Sequence, residues 1–169
     1  MDLAREFLQL SRRYFLDDYQ VKIERCLELL TDEQIWWRAN EHANSIGNLL
    51  LHMCGNVRQY VVTGVGGAVD IRRRQEEFDA RGASREELVT LLESTLGQVE
   101  DILGKVEPWD LLDLCVLQGR EMSKFEAIYH AVEHFSMHTG QIILITKQLV
   151  ERDLGFYAFK NNGDVERRW

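Results

Sequence analysis

Three of the chain's five histidines, His130, His134 and His138, recur at every fourth position. Four residues advance an α-helix by about 400°, so neighbours in this series stand one above the other on a single face. An imidazole pair at this spacing can hold one divalent metal ion between two ring nitrogens. A third nitrogen from elsewhere completes a set that leaves coordination positions open, as catalytic metal sites require. The outer pair, about 12 Å apart along the axis and about 80° apart around it, is too widely separated to share an ion.

The helical wheel selects between the two adjacent pairs. Phe125, Ile128, Val132, Phe135, Ile142 and Leu149 form an apolar stripe, and Glu126, Glu133, Lys147 and Glu151 lie opposite it. His138 falls nearest the stripe, His134 next, and His130 toward the charged side. The expected pair is therefore His134 and His138. A third ligand is expected from His52, which borders an apolar face within a row of Ser45, Asn48, Asn56 and Thr63, all polar and none charged. Such a row suits a buried polar cavity. His42 lies in a polar stretch before this helix and reads as a surface residue.

These histidines need long helices to position them, and the composition agrees. The chain has 169 residues, enough for one domain (1–169), with 45% hydrophobic and 28% charged residues and a single proline, Pro108. Apolar residues recur at three- and four-residue steps from Leu3 to Leu30. Thr31 with Gln34 reads as a capping box, as do Ser84 with Glu87 and Ser123 with Glu126. Asn44 or Ser45 opens a second helix reaching about Thr63, which Gly64, Gly66 and Gly67 end. The charged stretch Asp70 to Gly82, including Arg72-Arg73-Arg74-Gln75-Glu76-Glu77-Phe78, reads as a solvated surface crossover. Pro108 to Gly119 reads as an irregular or weakly extended connection. The predicted class is all-α: a four-helix bundle with an extended crossover between helices 2 and 3. The aromatics of the tail, Phe156, Tyr157 and Phe159, are expected to pack back on the bundle or on a partner chain.

A formal charge of −8 disfavours nucleic acid as a partner. No apolar run reaches membrane-spanning length, and Met1-Asp2-Leu3-Ala4-Arg5-Glu6 shows no secretory signal. The cysteines, Cys26, Cys54 and Cys115, are odd in number and widely spaced, which suits a reducing cytoplasm and small buried side chains. Cys54, two residues from His52, is turned about 200° away from it on the helix.

His52 together with His134-Phe135-Ser136-Met137-His138-Thr139-Gly140-Gln141 resembles the DinB-like superfamily of damage-inducible bacterial proteins. The stretch Asn44-Ser45-Ile46-Gly47-Asn48-Leu49-Leu50-Leu51-His52 is similar to its second-helix signature. The resemblance covers the chain to about Val150 and is with an uncharacterised branch. It implies an up-down-down-up bundle, a mononuclear metal on His52, His134 and His138, and homodimers. It also implies metal-dependent thiol S-transfer with a low-molecular-weight thiol and an electrophilic substrate. Thr139 departs from the arginine many members carry there, and the wheel assigns it to local packing. Zinc or nickel is the expected ion. Asn48, Asn56 and Gln141 are candidates to orient ligands or substrate, and Arg120 to meet a substrate carboxylate. The competing expectation is a non-enzymatic metal-binding scaffold or stress-response protein, because no carboxylate base is evident on the inner helix faces.

Overall fold

The structure, a computed structural model, describes residues 2–160 and 163–168. Helices dominate it. The first rod comprises α1 (Leu3–Arg13), a π-helical stretch (Tyr14–Gln20) and α2 (Val21–Glu28), with helical backbone at both junctions. Thr31 and Gln34 form the expected capping box and open the short α3 (Asp32–Ile35). Ser45, not Asn44, caps α4 (Ile46–Val57), which runs directly into a second π-helical stretch (Arg58–Val65). The crossover then carries α5 (Arg74–Asp79). Reciprocal capping boxes at Ser84/Glu87 and Ser123/Glu126 begin α6 (Arg85–Leu103) and α7 (Lys124–Val150). Each box satisfies backbone donors that a helix start otherwise leaves unpaired.

One continuous core joins the long rods. Phe15 and Ile23 of the first rod, Leu50 and Met53 of α4, Leu92 and Leu96 of α6, and Ile128 and Phe135 of α7 are all fully buried. Phe15 meets Phe135 edge-on, with ring centres 5.4 Å apart, a geometry that brings the positive ring edge against the negative ring face. No helix among the described residues is long and apolar enough to cross a membrane.

Several local expectations change. The connection before α7 is built: a 3₁₀ turn (Pro108–Leu112) leads into an antiparallel hairpin of β1 (Leu114–Leu117) and β2 (Arg120–Ser123). Gln118 and Gly119 turn it with positive φ, which glycine adopts freely and glutamine seldom does. Phe125, assigned to the apolar stripe of α7, is 41% exposed and lies against Phe7. The tail forms a second hairpin, β3 (Tyr157–Phe159) with β4 (Val165–Arg167). Phe156 packs on the core while Tyr157 stays partly exposed. The Phe159 side chain lies outside the described residues.

Candidate metal centre

The uninterrupted backbone of α7 keeps His134 and His138 one turn apart, and α4 brings His52 opposite them. All three are largely buried, with 6%, 9% and 9% exposure for His52, His134 and His138. Their Nε2 atoms converge. His134 Nε2 lies 3.0 Å from that of His52 and 3.2 Å from that of His138. Two nitrogens on one tetrahedral zinc, each about 2.0–2.1 Å from it, are about 3.3 Å apart. The donor set therefore suits a single ion, with His134 at the spacing of a shared metal from both partners and all three ligand atoms within 4.8 Å of one another.

The remaining ring nitrogens explain why Nε2 points inward. Glu77 Oε2 lies 2.9 Å from His52 Nδ1, and Gln141 Oε1 lies 2.6 Å from His138 Nδ1. Both partners are acceptors. Arg72 Nη2 also lies 3.1 Å from His52 Nδ1, but it donates to Glu77 Oε2 at the shorter 2.9 Å. The assignment that satisfies the carboxylate therefore puts the hydrogen on each Nδ1 and leaves each Nε2 lone pair for a metal. His134 Nδ1 is buried with no hydrogen-bond partner among the described residues. Burial, reinforced by His138, His52, His130 and Arg72, holds the His134 pKa down to about 3. Burial also lowers that of His138. Neutral imidazole is the metal-binding form.

Glu77 is the main residue that sequence reasoning missed. It belongs to the crossover assigned above to a solvated face, yet its side chain is 10% exposed and that of Arg72 only 6%. Arg72 donates to both Glu77 oxygens, from Nε at 2.7 Å and Nη2 at 2.9 Å. Burial pushes the Glu77 carboxyl up, but hydrogen bonds from Arg72 and His52 outweigh it and leave the group below its ordinary range. Phe78, the next residue, lays its ring against His52 with centres 4.8 Å apart. The one signal in the sequence was Gly55, three residues after His52. A methyl group there would overlap the Glu77 carboxylate, so glycine is what lets the Arg72–Glu77 pair reach α4.

The other candidates separate by role. Gln141 meets His138 directly. Asn48 makes no hydrogen bond to the histidines: its Nδ2 donates to the carbonyls of Glu77, Phe78 and Ala80, and so fastens the crossover to α4. Gln59 extends this fastening, accepting from Arg72 at 2.9 Å and from Gln118 at 2.7 Å and donating to Asp70 at 2.6 Å. Asn56 is buried, and its Oδ1 has no partner among the described residues. Arg120 is exposed on β2, paired across the hairpin with Leu117, and belongs to none of the hydrogen bonds around the histidines. His130 is half-buried and rests on Tyr60 with ring centres 4.1 Å apart. His42 is exposed beside Glu41. Thr139 is buried and donates its hydroxyl to the Phe135 carbonyl, a packing role. Cys54 is buried and its thiol is pushed up to about 12, largely by that burial, which leaves it a poor nucleophile.

A family profile described as "Protein of unknown function (DUF1572)" matches residues 2–162. The chain belongs to the DUF1572 family. No curated protein matches this DUF1572 chain, whereas its fold is shared with solved structures. A conserved protein from Enterococcus faecalis is 14% identical, with a TM-score of 0.73 over 85% of this chain and 97% of that one. A DinB-like protein from Bacillus subtilis is 16% identical, with a TM-score of 0.68 over 87% of this chain and 96% of that one. A DinB-like protein from Bacillus cereus is 17% identical, with a TM-score of 0.64 over 80% and 90%. The DUF1572 chain is thus DinB-like in fold, in an uncharacterised branch.

Proposed function

We propose that the protein is a metalloenzyme of the up-down-down-up four-helix-bundle type, a metal-dependent thiol S-transferase with one zinc or nickel ion on His52, His134 and His138. The convergence of three Nε2 atoms, two of them oriented by acceptors on Nδ1, carries this reading. A divalent ion in such a set supplies a Lewis acid with open positions, which lowers the pKa of a bound thiol or water. The protein's own part is orientation. Glu77 is engaged by both Arg72 and His52, so it fixes the His52 ring and is not free to accept a substrate proton. Gln141 fixes His138 in the same way. In the transfer itself the thiol would give its proton to solvent and its sulfur would bond the electrophilic carbon. The carbon's bond to halide or epoxide oxygen would break with its electron pair going to that atom.

The test is turnover by protein purified without a histidine tag and loaded with zinc or nickel. Low-molecular-weight thiols such as bacillithiol and mycothiol would be offered with a panel of alkyl halides and epoxides. Metal-dependent consumption of thiol, abolished by chelator, is expected. Stoichiometric metal without turnover would overturn the transferase reading in favour of a metal-binding scaffold. The same proposal includes a cytoplasmic homodimer, with the exposed Trp109, Leu112, Leu114 and Val116 as contact surface. Light scattering that returns a monomer removes that part.

A further inference from the structure

A cavity of about 460 Å³ is lined on one side by the Arg72–Glu77 pair. Its wall is formed by α4 and its π-helical extension, Leu91 of α6, and the crossover from Ala68 to Ala80. No histidine lines it. The volume is within the range that encloses small organic ligands.

Two features of the lining indicate the chemistry of an occupant. The first is apolar surface that the fold leaves uncovered. Val69 and Ile71, on the crossover side of the cavity, are 83% and 72% exposed, although Leu51, Val62 and Leu91 offer an apolar wall within the same cavity. A bound apolar group would remove that surface from water. The second feature is charge. Every carboxylate lining the cavity is already engaged: Glu77 by Arg72, Glu76 by Arg73, and Asp70 by Gln59 and the Arg72 backbone. Among the lining arginines, Arg72 and Arg73 are held by these carboxylates. Arg58 has no hydrogen-bond or ion-pair partner among the described residues. It is half-buried at the start of the π-helical stretch and lines the cavity.

We propose that this cavity is a binding site for a small amphiphile with an anionic head, such as a carboxylate, paired with Arg58 and an apolar body against Leu51, Val62 and Leu91. A guanidinium can grip a carboxylate through two parallel hydrogen bonds. The cavity shares Arg72 and Glu77 with the surroundings of the metal centre, but the proposed contacts are other residues, so binding is expected with or without a metal.

Calorimetric titration of the full chain with octanoate and with octanol tests it, on metal-free and zinc-loaded samples alike. Octanoate is expected to bind one per chain in both samples, and octanol about tenfold more weakly or worse. Arg58→Gln should weaken octanoate about tenfold and leave octanol unchanged. Leu91→Trp, which fills the cavity from α6, should weaken both. Absence of octanoate binding, or equal binding to Arg58→Gln, overturns the proposal. Zinc titration of the same preparations reads the metal centre separately: loss of zinc binding with octanoate binding intact would count against the metal reading alone.

Discussion

The last helix and the crossover both supply the histidine centre, but they do so by opposite means. α7 places His134 and His138 through regular geometry: four residues bring the chain back to nearly the same face, one turn higher. The crossover has no such period. Its α5 is only six residues long, and it reaches His52 because Asn48 and Gln59 fasten it and Gly55 leaves it room. Repetition along one long helix fixes two of the ligands, whereas tertiary contacts to a short helix fix the group that orients the third. A mutation in either region would therefore weaken the same site through different physics.

The largest effect is expected where the comparison is simplest, at the ligands themselves. His138→Ala removes one of three nitrogens and should abolish stoichiometric zinc, as read by elemental analysis of tag-free protein. Full occupancy in that variant would sink the proposed site. Next comes Glu77→Gln, which keeps an acceptor but loses the charge. Zinc affinity is expected to fall about 10- to 100-fold by competition with a chromogenic chelator. A crossover that is merely solvated would show no change.

Gly55→Ala sharpens the contrast further, because it alters no functional group. It should displace the Glu77 carboxylate and weaken zinc about tenfold. Gly140→Ala on α7, where an added methyl meets nothing within 4 Å, should leave zinc affinity unchanged and raise stability by about 0.5–1 kcal/mol. If the two alanine variants behave alike in the chelator assay, the distinction between the regions fails.

A separate effect is on pH-dependent stability. His134 is held near 3 in the fold and returns to its ordinary value of 6.5 when unfolded. Between those values the unfolded chain binds more protons, so the metal-free fold loses stability as pH falls from about 6.5 toward about 3. Urea unfolding at pH 7 and pH 5 should show the loss, and His134→Gln should reduce it. An unchanged pH slope in the variant would assign the effect to other groups.

What was legible in the sequence follows the same divide. The capping boxes at Thr31, Ser84 and Ser123 depend on residues three apart, and local spacing revealed all three. The inward turn of His134 and His138 depends on one helix and was equally readable. The burial of Arg72 and Glu77 depends on α4, the crossover and Gln59 meeting in space, so a mixed-charge run concealed it. The hairpin of β1 and β2 was hidden for a related reason: each strand has only four residues, and its turn uses a non-glycine residue at positive φ.

The π-helical stretch after α4 has a consequence for how one rod serves two masters. A π turn accommodates an extra residue, and one residue shifts the face of everything downstream by about 100°. Upstream of it, His52 and Gly55 face the histidine centre and its carboxylate. Near the end of the stretch itself, Gly64 faces Leu117 of the hairpin so closely that a methyl group would meet that side chain at 2.7 Å. Deleting one residue between Arg58 and Val65 should therefore spare the upstream register while turning the downstream face away from the hairpin. The stretch works as a phase adjuster: it lets a single helix satisfy two neighbours whose spacings do not share a common period.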